Sequence, residues 1–455
     1  MPDERAKARI LRGFQDLLPP RARLRQRIVE VFREVLALYG FAPLETPALE
    51  REEILLSDMG VDANKQIYRF SDLENTSIGL RYDFTVSLAR TVAANLNQLQ
   101  LPFKRYQVGP VWRFDKPKAG RYREFVQLDA DIVGAAPWEP EVEILVAFAQ
   151  ALSRLELNRF VFRLNDRHYL SQKLEALGVD RQREKDVFRV LDKLRRQGEK
   201  KVRAELTGKL LLQDFDSALE YERMQEVAIP EEAADGLLNA LNDREALGAL
   251  LRPLLGRAIE DGVPPESLVA DPSLTRGLDY YTGFVCEIEL AGAESLGSVG
   301  GGGRYDNLLE RYGTASITGV GMSVGVDRLL DAMELLGLDG GVPAAQSTAQ
   351  VLVTVFDDSL VSQSARIARL LREAGVPSEM WLPSGNRSGR TLSRQFKYAD
   401  KVGIPLAVVA GEDELAAEPP VVQLKDLRTE FGQEGKQVAV PLAELAGRVR
   451  ELLEA

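Results

Sequence analysis

Between residues 24 and 38 the apolar side chains Leu24, Ile28, Val31, Phe32, Val35 and Leu36 recur every three or four positions, and Gly40 follows them. That spacing puts them on one stripe of an α-helix with glycine as its stop signal. Residues 41–47 contain two prolines, which suit an edge or terminal strand because proline cannot donate to a ladder. Alternating or apolar runs at 103–112, 124–133, 159–164, 281–290 and 319–324 predict strands, with helices such as 141–155 between or after them. Several of these strands are hairpin-like neighbours without regular βαβ spacing. The expected fold is therefore α+β, a mainly antiparallel sheet with helices packed on it.

Residues 170–266 are different, rich in Leu, Lys, Arg and Glu at helical spacing and poor in strand signals, and they predict a helical insertion in the sheet domain. The stretch 339–348 is small and uncharged after Asp339, as linkers are. Beyond it, strands at 350–356, 377–382, 405–411 and near Val421 and Val438, with helices at 359–374, 391–402 and from Pro441, describe a compact α/β unit. The expected division is a sheet domain over 1–169 and 267–338, the insertion at 170–266, the linker, and the α/β unit over 349–455.

At 455 residues, two or three domains are expected. One cysteine, Cys286, excludes an internal disulfide framework and a multi-cysteine zinc site. One histidine, His168, excludes histidine metal clusters and two-histidine zinc motifs, and we read it as structural rather than as the base of a triad. The first twelve residues lack the apolar run of a signal peptide and no stretch is long enough for a bilayer span, so a cytoplasmic protein with no membrane role is expected. A net charge of −11 argues mildly against nucleic-acid binding, but charge acts locally. Residues 181–203 hold ten Lys/Arg against four Asp/Glu, and residues 387–401 hold five against one. Each is either a solvated helix face or a binding patch.

The chemistry concentrates in three places. From Tyr106 to Asp131, two strand-like arms flank the turn Lys116-Pro-Lys-Ala-Gly120. Residues two apart in a strand share a face, so Phe125, Gln127, Asp129 and Asp131 point the same way, which suits a polar pocket better than a core. Arg113, Arg121 and Arg123 add guanidinium groups of the kind phosphate oxygens prefer; the alternative is an ion-pair ladder on an exposed hairpin. The second place joins Thr275 to Gly283 with the glycine run 300–303 and Arg304-Tyr-Asp306. Four glycines let backbone approach a ligand, and no Gly-Lys-Ser/Thr follows to make a Walker A loop. The third is Thr318 to Arg328, whose Gly-x-Gly-x-x-x-Gly spacing and late position disfavour a dinucleotide fingerprint.

Across nearly the whole chain these residues resemble the class II aminoacyl-tRNA synthetases. The hairpin resembles their motif 2, Gly319 to Arg328 their motif 3, and the helix at 24–38 with Pro47 their dimer-forming motif 1. Within that class, Arg276-Gly-Leu-Asp-Tyr-Tyr281, Gly302-Gly-Arg-Tyr-Asp306, Leu80-Arg-Tyr-Asp-Phe-Thr85 and Arg12-Gly-Phe-Gln-Asp-Leu-Leu-Pro19 are similar to motifs of the histidine–tRNA ligases. Class I ligases need a His-Ile-Gly-His motif, which a chain with one histidine cannot contain.

The resemblance implies ATP-dependent ligation of L-histidine to tRNA(His) through a histidyl-adenylate, by a homodimer, with Mg2+ arriving on ATP. It gives Arg113 and Arg276 the catalytic role of holding the α-phosphate from two sides, Arg113 also touching the histidine carboxylate. Arg121 is implied at the terminal phosphates, and Phe125 and Arg328 on either side of adenine. Asp83 and Thr85, assisted by Gln127, are implied at the α-amino group, and Asp131, Tyr281 and Tyr305, with neighbouring Tyr280, around the imidazole. Gly300 to Gly303 are read as backbone making room for the substrate. The C-terminal unit resembles the anticodon-binding domain of several class II ligases, which turns Arg387, Arg390, Arg394 and Lys397 into tRNA contacts. Lys118, in the motif 2 turn, is implied near the tRNA 5′ end, and the insertion near the acceptor arm. The competing reading is a histidine-sensing regulatory paralogue of the ATP phosphoribosyltransferase system, which generally lacks the C-terminal domain and the signature arginine.

Overall fold

A computed structural model of the protein describes residues 8–56, 66–210, 222, 224, 228–275, 277, 281–306, 312, 317–341, 345–382, 391–428 and 437–454. The chain divides into two compact units, residues 1–16 with 24–340, and residues 17–23 with 341–455.

The first long helix, Pro19–Leu38, opens on proline, whose fixed φ and missing N–H suit a helix start. Leu24, Ile28, Val31, Phe32, Val35 and Leu36 are its buried residues, the stripe read from the sequence. Phe32 meets Phe148 of the helix Glu139–Arg154 edge-on, with ring centroids 5.5 Å apart. The apolar stripe is already buried within one chain, so a dimer would have to use other surfaces of this region.

In chain order the strands of the first unit are β1 (Ala42–Pro43), β2 (Leu49–Arg51), β3 (Arg69–Ser71), β4 (Ser77–Leu80), β5 (Phe103–Trp112), β6 (Glu124–Val133), β7 (Phe160–Asp166), β8 (Leu268–Ala270), β9 (Phe284–Leu290), β10 (Gly300–Arg304) and β11 (Gly319–Gly325). Eight of them form one sheet in the order β1-β5-β6-β11-β10-β9-β7-β8, and β2-β4-β3 form a small second sheet. The large sheet is antiparallel except at its two edges, where β1 runs parallel to β5 and β8 parallel to β7. The proline-bearing β1 lies on an edge, as its composition requires.

The faces of this sheet differ in chemistry. One carries Leu128, Ala130, Ile132, Cys286, Ile288, Phe162, Leu164, Val320, Met322 and Val324, all buried and apolar. The opposite face carries Arg105, Gln107, Gln127, Asp129, Asp131, Glu287 and Asn165, which are buried and polar. A two-residue period in each strand and an in-register ladder produce this separation.

The described part of residues 167–260 is helical, in Arg167–Ala176, Glu184–Leu191, Leu194–Gln197, Glu199–Leu206, Glu231–Ala240 and Arg244–Glu260. The last of these packs on the helix Glu139–Arg154 and on β7 and β8, so the helical segment ends against the sheet.

In the second unit the strands are β12 (Val351–Val353), β13 (Ser378–Met380), β14 (Leu406–Val409), β15 (Val421–Asp426) and β16 (Gln437–Pro441), in the order β13-β12-β14-β15-β16. β12 is parallel to β13 and β14, and the last two pairings are antiparallel. The helices Val361–Glu373 and Leu445–Glu454 supply Ile367, Leu371, Leu445 and Val449 to one core, while Leu392–Val402 supplies Ala399 and Val402 to another beside Leu352 and Trp381.

Candidate active site

The polar face is built by register. Arg105 on β5 stands opposite Asp131 on β6, Gln107 opposite Asp129, and Gly109 opposite Gln127. On the other side of β6, Asp131 faces Gly321, Asp129 faces Ser323 and Gln127 faces Gly325. Along β6, Gln127 Nε2 donates to Asp129 Oδ1 at 2.7 Å. Arg113, just beyond β5, donates from Nη2 to Gln127 Oε1 at 3.3 Å and from Nε to the Tyr82 carbonyl at 2.9 Å. Its guanidinium lies 5.4 Å from the centre of the Phe125 ring. Asp83, in the turn before the helix Thr85–Asn95, accepts the Val86 N–H at 3.4 Å, with Thr85 half-buried beside it.

Burial dominates the electrostatics here. It raises the pKa of Asp83, with Arg113 pulling the other way. It raises Asp131 against the pull of Arg105 and the Tyr305 hydroxyl, and pushes Asp129 up to about 7.

Glycines of β10 and β11 make room for side chains of the polar face. A Cβ on Gly321 would stand 1.9 Å from Asp131 Oδ1, and one on Gly319 would stand 2.5 Å from the Tyr305 ring. A Cβ on Gly303 would meet the Tyr281 ring at 2.7 Å. So Tyr281, Tyr305 and Asp131 occupy the space beside Gly303, Gly319 and Gly321, while a Cβ on Gly300, Gly301 or Gly302 would meet a backbone carbonyl oxygen of Ser323, Cys286 or Gly321. Tyr305 is buried and its hydroxyl donates to Asp131 Oδ1, while Tyr281 is half-buried.

Two further arginines line the motif 2 hairpin. Arg121 pairs with Asp115 at 2.7 Å, and Arg328 donates to the carbonyls of Gly120 at 2.8 Å and Ser298 at 2.7 Å. The turn between the strands closes with the Arg121 N–H on the Lys118 carbonyl at 2.9 Å, leaving the Lys118 side chain exposed. In the second unit Arg394 and Lys397 are exposed on the helix Leu392–Val402, opposite its buried Gln395 and Ala399. Arg276, Tyr280, Arg387 and Arg390 lie outside the described residues.

Sequence reasoning missed four supporting residues. Arg304, in the second signature motif, points to the core face, where its Nε and Nη2 hold the buried Glu141 at 2.6 and 2.5 Å and its Nη1 holds Asp306 at 3.1 Å. Asp306 in turn accepts the Thr282 hydroxyl at 2.9 Å, which ties the two signature motifs together. Asp327, beside Arg328, accepts the Val126 N–H at 2.5 Å and so fixes motif 3 against motif 2. Arg105 is wholly buried beside the carboxylate row, opposite Asp131. Only its parity with Gln107 was readable; its partner depends on a register no local pattern reveals. His168 donates its backbone N–H to Asp166, the cap of the helix Arg167–Ala176, and its Nδ1 lies 2.8 Å from the same carboxylate.

The arrangement can hold a small molecule with a cationic or N–H-bearing end on Asp83 and Asp131, and an anionic end on Arg113 and its neighbours. Among the described residues no group of three His, Cys, Asp or Glu side chains could hold a metal ion, and no helix is long and apolar enough to cross a membrane.

Comparison with known proteins agrees with this chemistry. The family model for histidyl-tRNA synthetase matches residues 13–329, and that for the anticodon-binding domain matches residues 350–452. A histidine–tRNA ligase of Wolinella succinogenes is 38% identical over 433 residues, covering 92% of this chain and 94% of that one. The histidyl-tRNA synthetase structure from Nostoc sp. PCC 7120 superposes with a TM-score of 0.77 at 29% identity, over 98% of this chain and 100% of that one. A Bacillus halodurans structure described as an ATP phosphoribosyltransferase regulatory subunit/histidyl-tRNA synthetase gives a TM-score of 0.66 at 22% identity over 87% of this chain and 96% of that one, a likeness of fold alone. With one family matched over most of its first unit and ligases of that family alongside nearly its full length, the chain belongs to the histidyl-tRNA synthetases.

Proposed function

We propose that this chain activates L-histidine with ATP and transfers it to tRNA(His), and that the polar face of the eight-stranded sheet is where both steps occur. The observation that carries the reading is the row Gln127, Asp129, Asp131 with Tyr305 at one end and Arg113 at the other. Asp131, buried, accepts from an imidazole N–H, with Tyr281 and Tyr280 beside the ring. Asp83, Thr85 and Gln127 receive the α-ammonium group. A pocket built for these donors rejects apolar isosteres, which would leave its buried carboxylates unpaired.

In the first step a carboxylate oxygen of histidine attacks the α-phosphorus of ATP, an O–P bond forms, and pyrophosphate leaves with the electron pair of the broken bond. The nucleophile is already anionic, so no general base is needed. Arg113 on one side and Arg276 on the other neutralise the charge that develops between them. Arg121 receives the terminal phosphates, and Phe125 and Arg328 hold adenine between a ring and a planar cation. Mg2+ would enter bound to the phosphates of ATP, whose charge it would help to neutralise. In the second step a terminal hydroxyl of tRNA attacks the histidyl carbonyl and AMP leaves.

Lys118 is assigned to the 5′ end of the tRNA, where its ammonium can hold a phosphate but cannot pair with a base as an amide does. Arg387, Arg390, Arg394 and Lys397 are assigned to the anticodon stem, and residues 170–266 to the acceptor arm. The working form is a homodimer in the cytoplasm. The regulatory paralogue is disfavoured by the matched anticodon-binding unit and the intact Arg276 motif. Exchange of labelled pyrophosphate into ATP, run with each amino acid in turn, tests the reading. Exchange with histidine alone is expected, and equal exchange with proline or glycine would overturn it.

A further inference from the structure

Among the described residues Arg105 is the largest fully buried side chain, with no exposed surface. A guanidinium does not give up its proton, so this is a permanent buried charge, and such a charge needs compensation. Its Nη2 lies 2.7 Å from Asp131 Oδ2. The contact is ionic and bent, because none of its three guanidinium nitrogens completes a hydrogen bond and neither does Asp131 Oδ2. The other oxygen of Asp131 is taken by Tyr305. Asp131 is thus held by Arg105 across the ladder on β5 and by Tyr305, with Asp129 and Gln127 next along its own strand. Asp129 in turn faces Arg105, Asp131, Gln127 and, across the pocket, Asp83.

We propose that Arg105 is a positioning residue of the amino-acid pocket, which from the neighbouring strand on the same sheet face keeps Asp131 ionised and its carboxylate turned to accept an imidazole N–H, without itself touching the substrate. The inference rests on the reading of Asp131 as the imidazole partner. Its logic is one of opposing effects. Burial favours the neutral carboxyl at Asp131 and Asp129, and Arg105 is the cation that pulls both back toward the charged form. Without it Asp131 takes up a proton at neutral pH, becomes a donor, and no longer matches an imidazole N–H. Raising the pH would strip that proton and restore the match.

The test is steady-state pyrophosphate exchange by the full-length protein and by Arg105→Met, Arg105→Lys and the double variant Arg105→Met/Asp129→Asn, from pH 6.5 to 9. For Arg105→Met the histidine KM at pH 7 should rise on the order of tenfold to a hundredfold, the value of one charged hydrogen bond, with the ATP KM nearly unchanged. That increase should shrink as the pH rises, and Arg105→Lys should recover part of the loss. The double variant removes one carboxylate with the cation, so it should fold even if the single variant does not, and should keep the pH-reversible histidine defect. Equal increases in the KM of both substrates, or a histidine defect that pH leaves unchanged in whichever variant folds, would overturn the proposal. If the unsubstituted protein shows no histidine-dependent exchange, the reading of the pocket fails first, and the two failures are thereby distinguished.

Discussion

Replacing Gly321 by alanine adds one methyl group at the floor of the pocket. Its carbon would stand 1.9 Å from Asp131 Oδ1, 2.6 Å from the Asp131 carboxyl carbon and 3.2 Å from the Ala130 carbonyl oxygen. Something must move, and the carboxylate is the lightest obstacle, but Tyr305 and Arg105 hold it from two sides. Forced overpacking of this kind costs about 1–3 kcal/mol in stability. If the strain is relieved by turning the carboxylate, the hydrogen bond to the imidazole is lost as well. A charged hydrogen bond contributes about 1.5–3 kcal/mol, roughly tenfold to a hundredfold in histidine KM. Gly325, on the same strand, is the control, because a Cβ there has no neighbour nearer than 3.7 Å. The assay is pyrophosphate exchange with histidine and ATP varied separately, beside thermal melts of both variants. Gly321→Ala should raise the histidine KM while leaving that for ATP almost unchanged, and Gly325→Ala should leave the histidine KM within about twofold. A Gly321→Ala protein with the parent's histidine KM and melting temperature would show that Asp131 neither holds the imidazole nor is pinned.

Asp129, pushed up to about 7 by burial, holds a proton in the folded protein between about pH 4 and 7 that the unfolded chain has released. Its burial therefore costs least near pH 4 and most above pH 7, and Asp129→Asn should gain melting temperature relative to the parent between pH 5 and pH 8; a constant difference would contradict the shift. Arg304→Met leaves Glu141 buried without its cation and should cost about 3–5 kcal/mol in urea unfolding, whereas a loss under 1 kcal/mol would mean the pair is dispensable. A chain ended at residue 348 should retain much of the pyrophosphate exchange and lose most tRNA charging; equal loss of both would assign the C-terminal unit a part in activation.

The parts of this fold readable from sequence are those where one periodicity suffices. The stripe Leu24 to Leu36, the two motif 2 arms and the alternation of the C-terminal unit each declare themselves locally. The glycine run 300–303 is a strand that no propensity predicts, since glycine has no side chain to alternate; it pairs on both sides because its neighbours β9 and β11 are strong. The row Gln127, Asp129, Asp131 was visible by parity, and its partners were not. Arg105 and Tyr305 reach Asp131 from strands 26 and 174 residues distant in register and sequence, and only the folded sheet brings them together. Arg304 shows the opposite limit. It sits in a signature motif, yet it faces the core and secures Glu141, because β10 places alternate residues on opposite faces.

The central claim is that this pocket commits histidine, and no other amino acid, to tRNA. Charging of a tRNA(His) transcript by the purified protein, with each labelled amino acid offered in turn in the presence of ATP and Mg2+, tests it most directly. The account predicts acid-stable label on the transcript with histidine alone, with AMP formed in equal amount. Charging with a different amino acid, or histidine binding without any transfer to tRNA, would contradict it.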